Sequence, residues 1–119
     1  MLLGDYFQNI PAIYKKFFFS GISFDSNKIK KNNIFFAIKG NKIDGNDFVS
    51  SAISNGAKIV VTEKKINGLK NGILFIHSNN IRKLLAEYHL KLMTKFQIIL
   101  LQLQVQTENP LLLIFIIKY

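Results

Sequence analysis

Two short polar segments carry most of the side chains in this sequence that could bind a ligand. Asp25-Ser26-Asn27-Lys28 follows the short run 21–24 (Gly-Ile-Ser-Phe), and the loop 40–45 (Gly-Asn-Lys-Ile-Asp-Gly) follows the continuous apolar run 34–38. Both runs are predicted strands, and ligands of α/β sheets bind where such loops meet at strand carboxyl ends. Hydroxyl, amide and backbone N–H donors there suit a uracil or a diphosphate. The alternative interpretation is a pair of ordinary Asx-type turns.

Groups suited to catalysis are few. His77 and His89 stand alone, with no partner at metal-ligand spacing, and the sequence has no cysteine. It also has no GxxxxGK[ST] loop, so no phosphate cradle of that kind can form. We therefore predict no catalytic residue and no metal ligand, and we do not expect a self-sufficient enzyme.

The formal net charge of +9 is the strongest compositional bias. Such a charge attracts anionic partners, including nucleic acids and phosphorylated ligands. Arg82 is the one arginine, however, and no interleaving of aromatic and basic residues marks a nucleic-acid face. We interpret the charge as lysine drift in a sequence rich in Lys, Asn and Ile, and expect no nucleic-acid partner. A basic module that binds RNA or an anionic surface is the alternative.

Length and composition favour one small domain. With 119 residues, 49% of them apolar, the chain can build a single packed core. The lack of cysteine and of a basic leader favours the cytoplasm. The longest apolar run, residues 111–117, is far shorter than the about 20 residues of a membrane-spanning helix. We expect a cytoplasmic monomer without a membrane span.

Hydrophobic periodicity predicts an α/β fold, a small layered sheet with flanking helices. Gly56 should end a first main helix at 46–55, and Ser78, Asn79 or Asn80 should cap a second main helix at 80–93. Asn46 or Asp47 is the predicted cap of the first. A short helix is predicted within residues 6–19 and a loop at 68–72. The predicted strands are 21–24, 34–38, 59–62 and 73–76, the predicted main helices are 46–55 and 80–93, and the stripe expected to be buried on the second helix is Ile81, Leu84, Leu85, Tyr88 and Leu92.

Residues 21–63 resemble the opening domain of the Mur ligases. That family's pattern is D-S-R, then an F-x-A-x-x-G strand, D-G-x-x-F, a helix and G-A-x-x-x-V. The matching parts here, in the same order and at agreeing spacing, are Asp25-Ser26, the run ending at Gly40, Asp44-Gly45-Asn46-Asp47-Phe48 and Gly56-Ala57. The short lead and the D-G-N-D-F wording look more like the UDP-MurNAc-tripeptide ligase (MurE) type than the MurF type, which stays an alternative.

The resemblance implies a site for the UDP end of UDP-MurNAc-dipeptide. Carried over by motif position, Phe24 and Ser26 would meet the uracil, and Asn41, Lys42 and Ile43 would line the diphosphate side. Asp44-Gly45 is expected to shape the loop rather than touch the ligand. One departure stands out, because the family's usual Arg after D-S is Asn27 in this sequence.

The resemblance also implies a reaction. In the family, ATP and Mg²⁺ phosphorylate the dipeptide carboxylate, and an amino acid's amine attacks the acyl phosphate. The ATP loop and the amino-acid-binding domain have no counterpart in these residues, so we expect no cofactor to bind and the dipeptide substrate to bind weakly. The resemblance implies that the choice between meso-diaminopimelate and lysine is made in that amino-acid-binding domain.

Residues 97–119 differ in character from the rest, with almost no charge and no glycine. We therefore divide the chain into a UDP-MurNAc-recognising domain, 1–95, and an aberrant tail, 96–119.

Residues 101–110 can be encoded as TTG CAA TTA CAG GTA CAA ACG GAA AAT CCN. When translation starts at the third base of codon 101, the same bases are GCA ATT ACA GGT ACA AAC GGA AAA TCC and encode A-I-T-G-T-N-G-K-S. That is the phosphate loop expected after a Mur ligase opening domain. The hypothesis is a frameshift between about codons 91 and 101 that truncates the ligase and leaves residues 111–117 poorly packed.

Overall fold

A five-stranded sheet forms the centre of the fold in the computed structural model of the protein, which describes residues 1–107 and 110–111. The spatial order is β1-β2-β3-β5-β4, and all neighbours are parallel except β4, which runs antiparallel to β5. The α/β class and the four predicted strands are confirmed. The strands are β1 (Gly21–Ser23), β2 (Asn33–Ala37), β3 (Ile59–Thr62), β4 (Gly68–Lys70) and β5 (Ile73–His77).

The loop predicted at residues 68–72 is wrong, because its first half is the edge strand β4. Gly68 pairs with Phe75 and Lys70 with Ile73, so β4 and β5 form a hairpin. Its turn is Asn71-Gly72, and both residues have positive φ, 52° and 80°. An Asn-Gly pair favours this turn because both of its central positions need left-handed backbone.

The N-terminal segment is a folded-back hairpin, so the helix predicted within residues 6–19 is wrong. It contains one helical turn, α1 (Leu3–Tyr6), and a 3-10 turn at Ala12–Tyr14. The backbone N–H of Leu3 donates to the Phe17 carbonyl at 2.9 Å, and that of Gly4 donates to the Lys15 carbonyl at 3.0 Å. Because these bonds pair the two halves of the segment, a continuous helix cannot form.

The helix predicted at 46–55 is a 3-10 turn (Gly45–Phe48) that continues as α2 (Val49–Ser54). The capping residue is Asp44 rather than Asn46 or Asp47, since its Oδ1 accepts from the Asn46 N–H at 2.9 Å. Gly56 follows the helix end with φ +119°, as predicted.

The helix predicted at 80–93 is far longer, α3 (Ile81–Thr107). Asn80 caps it as expected, its Oδ1 accepting from the Lys83 N–H at 3.1 Å. No Gly or Pro interrupts residues 81–107, and Leu, Gln and Lys there favour helix. The predicted buried stripe ends early, because Ile81, Leu84 and Tyr88 are buried while Leu92 is 39% exposed. The apolar periodicity of the sequence therefore could not predict the turns of α3 that follow Leu92.

Side chains of β2 alternate between two cores, one on each face of the sheet. Ile34 and Phe36 face α1 and the start of α3, and Phe35 and Ala37 face α2. On the first face the Tyr88 ring of α3 lies among aromatic rings, with centroids 5.3, 6.0 and 6.1 Å away from Tyr6, Phe7 and Phe19, respectively. Desolvation in this cluster raises the pKa of the Tyr88 hydroxyl.

The second half of α3 carries its apolar side chains mostly in solvent. Leu100 is buried, at 8% exposure, whereas the apolar residues around it are exposed: Phe96, Ile98, Ile99, Leu101, Leu103 and Val105. Leu111 is also exposed, and the rest of the run predicted to pack poorly, residues 112–117, lies outside the described residues. Across the described part of the chain, no helix has the length and apolar character needed to cross a membrane.

Candidate functional site: a cleft at the carboxyl edge of the sheet

A cleft of about 590 Å³ opens at the carboxyl ends of β1 and β2. Three segments wall it: the turn after β1, the loop after β2 and the first turns of α3. Parallel strands bring these segments to one edge because their carboxyl ends all point the same way. The lining residues are Phe24, Asp25, Ser26, Asn27, Ile38, Gly40, Ile43, Gly45, Phe48, Arg82 and Leu85.

The first wall is an Asx turn held by its own polar groups. The Asp25 N–H donates to Ser23 Oγ at 3.0 Å, and Asp25 Oδ1 accepts from the Asn27 N–H at 3.0 Å. The Ser26 carbonyl accepts from Asn55 Nδ2 at 2.7 Å, which ties the turn to the end of α2. The segment is therefore an Asx turn, and it also lines the cleft.

The second wall is a tight loop whose backbone approaches β2 closely. The Gly40 N–H donates to the Ile43 carbonyl at 2.8 Å, and the Gly45 N–H donates to the Ile38 carbonyl at 2.8 Å. A Cβ on Gly45 would lie 2.6 Å from the Ile38 nitrogen and 2.8 Å from its oxygen. Both contacts are with backbone, so only glycine fits at this position.

Asp44 and Asn46 fix that loop to the end of β3. Asp44 Oδ1 accepts from both the backbone N–H and the side-chain amide of Asn46, and Asn46 Oδ1 accepts from the Thr62 hydroxyl at 2.6 Å. The Asn46 N–H is the main reason that the pKa of the Asp44 carboxyl is lowered, with a further contribution from the Asn46 side-chain amide. Lys39 and Lys64 add smaller electrostatic contributions. The carboxylate is thus engaged in shaping the loop.

The third wall was not foreseen from the sequence. Arg82 and Leu85, on the first two turns of α3, line the cleft together with the two loops. Because α3 starts directly after the parallel strand β5, its first turns lie at the same edge of the sheet. Two features could have predicted its place in the cleft: the helix follows a parallel strand, and Arg82 is the one arginine in the sequence.

Three of the five predicted site residues line the cleft, namely Phe24, Ser26 and Ile43. The Phe24 side chain is 68% exposed, so its ring is open to a ligand, while Ser26 is buried at the base of the turn. Asn41 and Lys42 occupy the exposed tip of the second loop and are not among the lining residues. Their side chains therefore stand outside the cleft as the structure has it.

The described residues contain no group of three or more His, Cys, Asp or Glu that could hold a metal ion. His77, at the end of β5, makes local hydrogen bonds. Its Nδ1 lies 2.9 Å from the Lys64 carbonyl, and its Nε2 lies 3.0 Å from Asn79 Oδ1. This residue ties loops together at the edge of the sheet.

A sheet of this topology with a cleft at its carboxyl edge is typical of nucleotide-binding α/β proteins. Residues 19–100 match the family model described as "Mur ligase family, catalytic domain". The match covers more than half of the chain, and the protein belongs to the Mur ligase family.

Curated relatives of the chain include UDP-N-acetylmuramoyl-L-alanyl-D-glutamate–2,6-diaminopimelate ligases. The chain is 38% identical to that of Rickettsia typhi over 68 residues, which are 57% of this chain and 14% of the relative. It is 48% identical to that of Clostridium tetani over 67 residues, 55% of this chain and 14% of the relative. The matched part is therefore about a seventh of each relative's length.

Among solved structures, the fold is similar to a ligase from Acinetobacter baumannii. That protein is UDP-N-acetylmuramoylalanyl-D-glutamyl-2,6-diaminopimelate–D-alanyl-D-alanyl ligase. The TM-score is 0.54 at 22% identity, over 65% of this chain and 17% of the other. The mostly parallel sheet with its flanking helices is the feature that the two share.

Proposed function

We propose that the cleft binds the UDP end of UDP-MurNAc-L-Ala-D-Glu, as the recognition part of a MurE-type ligase. The observation that carries the proposal is the convergence of the Asp25-Ser26 turn and the 40–45 loop on one cleft at the carboxyl edge of the sheet. Identity to diaminopimelate ligases supports the MurE type. The MurF-like structures support the fold alone, because their identity is low.

Each predicted residue has a place in this proposal. The exposed ring of Phe24 offers an apolar face on which a pyrimidine can stack, an interaction typical of base recognition. Ser26 sets the turn below it, and Ile43 forms the opposite wall. Asn41 and Lys42 approach the ligand by a rotation of their side chains at the loop tip, or contribute through their backbone.

In this proposal the cleft serves substrate recognition. ATP and Mg²⁺ serve the family's reaction, and the glycine-rich loop that would cradle the phosphates is absent from the 119 residues. Binding of the dipeptide substrate by these residues is expected to be weak.

The division into a recognition domain, 1–95, and an out-of-frame tail, 96–119, is part of the proposal. The family match ends at residue 100, and most of the apolar side chains of α3 from Phe96 to Val105 are exposed. Natural helices of globular domains bury such residues against a core. Both observations support a change of reading frame near the start of this segment.

Titration of the full chain with UDP, followed by backbone amide NMR, tests the binding proposal. We expect chemical-shift changes at Ser26 and at Asn41 to Asp44, with displacement by uridine and a modest dependence on salt. Changes spread over the lysine-rich surface, lost steeply with salt and competed by RNA but not by uridine, would support the basic-module alternative. That outcome would reject the proposed function.

A further inference from the structure

The charge within the cleft differs from the charge of the protein as a whole. Although the chain has a net charge of +9, the charged lining residues are one acid, Asp25, and one base, Arg82. The Asp25 carboxylate accepts from the Asn27 N–H and would repel an anion. Among the side chains that line the cleft, Arg82 is therefore the one whose net charge attracts a phosphate.

The surroundings of Arg82 give it no structural role that would explain its charge. Within the described residues, no hydrogen bond or ion pair engages its guanidinium. It lies in the first turn of α3, which contains no acidic residue. A cation at this end is unfavourable, because the helix N-terminus already carries partial positive charge. An anion bound in the cleft would offset both sources of positive potential.

We propose that Arg82 is the diphosphate-binding residue of this chain, an inference that rests on the proposed function. The guanidinium presents planar, paired N–H donors that match two phosphate oxygens, which a lysine cannot reproduce. Position 27, where the family pattern has arginine, is a neutral asparagine that lines the same cleft. In this chain the cation therefore comes from α3.

The test compares UDP, uridine and inorganic pyrophosphate as ligands of the full chain, by calorimetry or NMR at low ionic strength. The variants are Arg82→Gln and Arg82→Lys. The matched control is Lys83→Gln, an exposed cation on the same turn that does not line the cleft. Thermal unfolding verifies that all three variants fold.

We expect Arg82→Gln to weaken UDP binding by about tenfold or more, the usual effect of losing a charge-assisted pair. Uridine affinity should not change, Arg82→Lys should recover part of the loss, and Lys83→Gln should behave as the parent.

If UDP binds and its preference over uridine survives in Arg82→Gln, the inference is overturned while the proposed function stands. If pyrophosphate binding depends on Arg82 but uridine does not bind, the anion site stands and the proposed function fails. If neither UDP nor pyrophosphate binds, both are rejected.

Discussion

The Thr62 hydroxyl donates a 2.6 Å hydrogen bond to Asn46 Oδ1, joining the last residue of β3 to the loop that walls the cleft. The same hydroxyl accepts from the Lys64 N–H at 3.1 Å, so it links two loops at once. Because the Thr62 side chain is almost fully buried, water cannot readily replace it. The cleft wall is therefore held by the sheet itself as well as by its own turn.

Replacement of Thr62 by Val should remove both bonds while keeping the shape of the side chain. We expect a loss of about 1–2 kcal/mol in the free energy of unfolding, the usual cost of unsatisfied partners. Thr62→Ser keeps the hydroxyl and should lose less. Urea unfolding of the two variants measures the difference. A Thr62→Val variant as stable as the parent would mean that the two hydrogen bonds of the hydroxyl do not stabilise the fold.

Gly45→Ala should destabilise the protein by about 1–3 kcal/mol, since the new methyl group would overlap the backbone of Ile38. Gly21→Ala is the matched control, because a Cβ there meets nothing closer than 3.4 Å. We expect the control to stay within about 0.5 kcal/mol of the parent. Differential scanning calorimetry gives both values. A tolerated Gly45→Ala would show that the loop can move away from β2.

The Asp44 carboxyl should titrate below its ordinary pKa of 3.8, because the Asn46 N–H stabilises the charged form. Its contribution to stability is fully present above the unfolded-state pKa and is lost as the pH falls from about 3.8 through the lower folded-state pKa. Carbon-detected NMR of the carboxyl follows the titration directly. Asp44→Asn should remove this part of the acid dependence, and an unchanged acid profile in that variant would contradict the assignment.

The reading-frame hypothesis has a direct test in the gene. Nucleotide sequencing through codon 110 should show that the bases of codons 101–110, read from the third base of codon 101, spell A-I-T-G-T-N-G-K-S. We expect this because one set of bases can encode both residues 101–110 in the present frame and the nine residues of the phosphate loop in the shifted frame. If the bases do not spell the loop in the shifted frame, the hypothesis is wrong and the tail is a native element.

The exposed apolar residues on the second half of α3 should promote aggregation. The double change Ile99→Gln and Leu103→Gln should raise solubility without lowering the melting temperature, because both side chains are exposed and Gln favours helix. Leu100→Gln is the control between them in sequence, and its burial predicts a lower melting temperature. Light scattering and thermal unfolding distinguish these outcomes. A double variant as unstable as the control would mean that this surface is packed in the native protein.

The sequence predicted the parallel strands well because they are buried on both faces and appear as continuous apolar runs such as 34–38. It did not predict β4, an exposed edge strand whose signal lies in its turn, Asn71-Gly72. Nor did it predict the length of α3, since turns that bury little leave no periodic pattern. For the cleft, the loops after β1 and β2 were foreseen from motif order. Arg82 was not, because its approach to the cleft depends on the position of β5 in the sheet.

The first turns of α3 serve two purposes, since Tyr88 fills the aromatic core while Arg82 and Leu85 close the cleft. Every other wall of the cleft is encoded before residue 50. A chain emerging from the ribosome therefore carries both loops long before it can close the site, because domains form only as their segments leave the exit tunnel. If the cleft binds a nucleotide as proposed, binding must await the emergence of α3, which also completes the hydrophobic core.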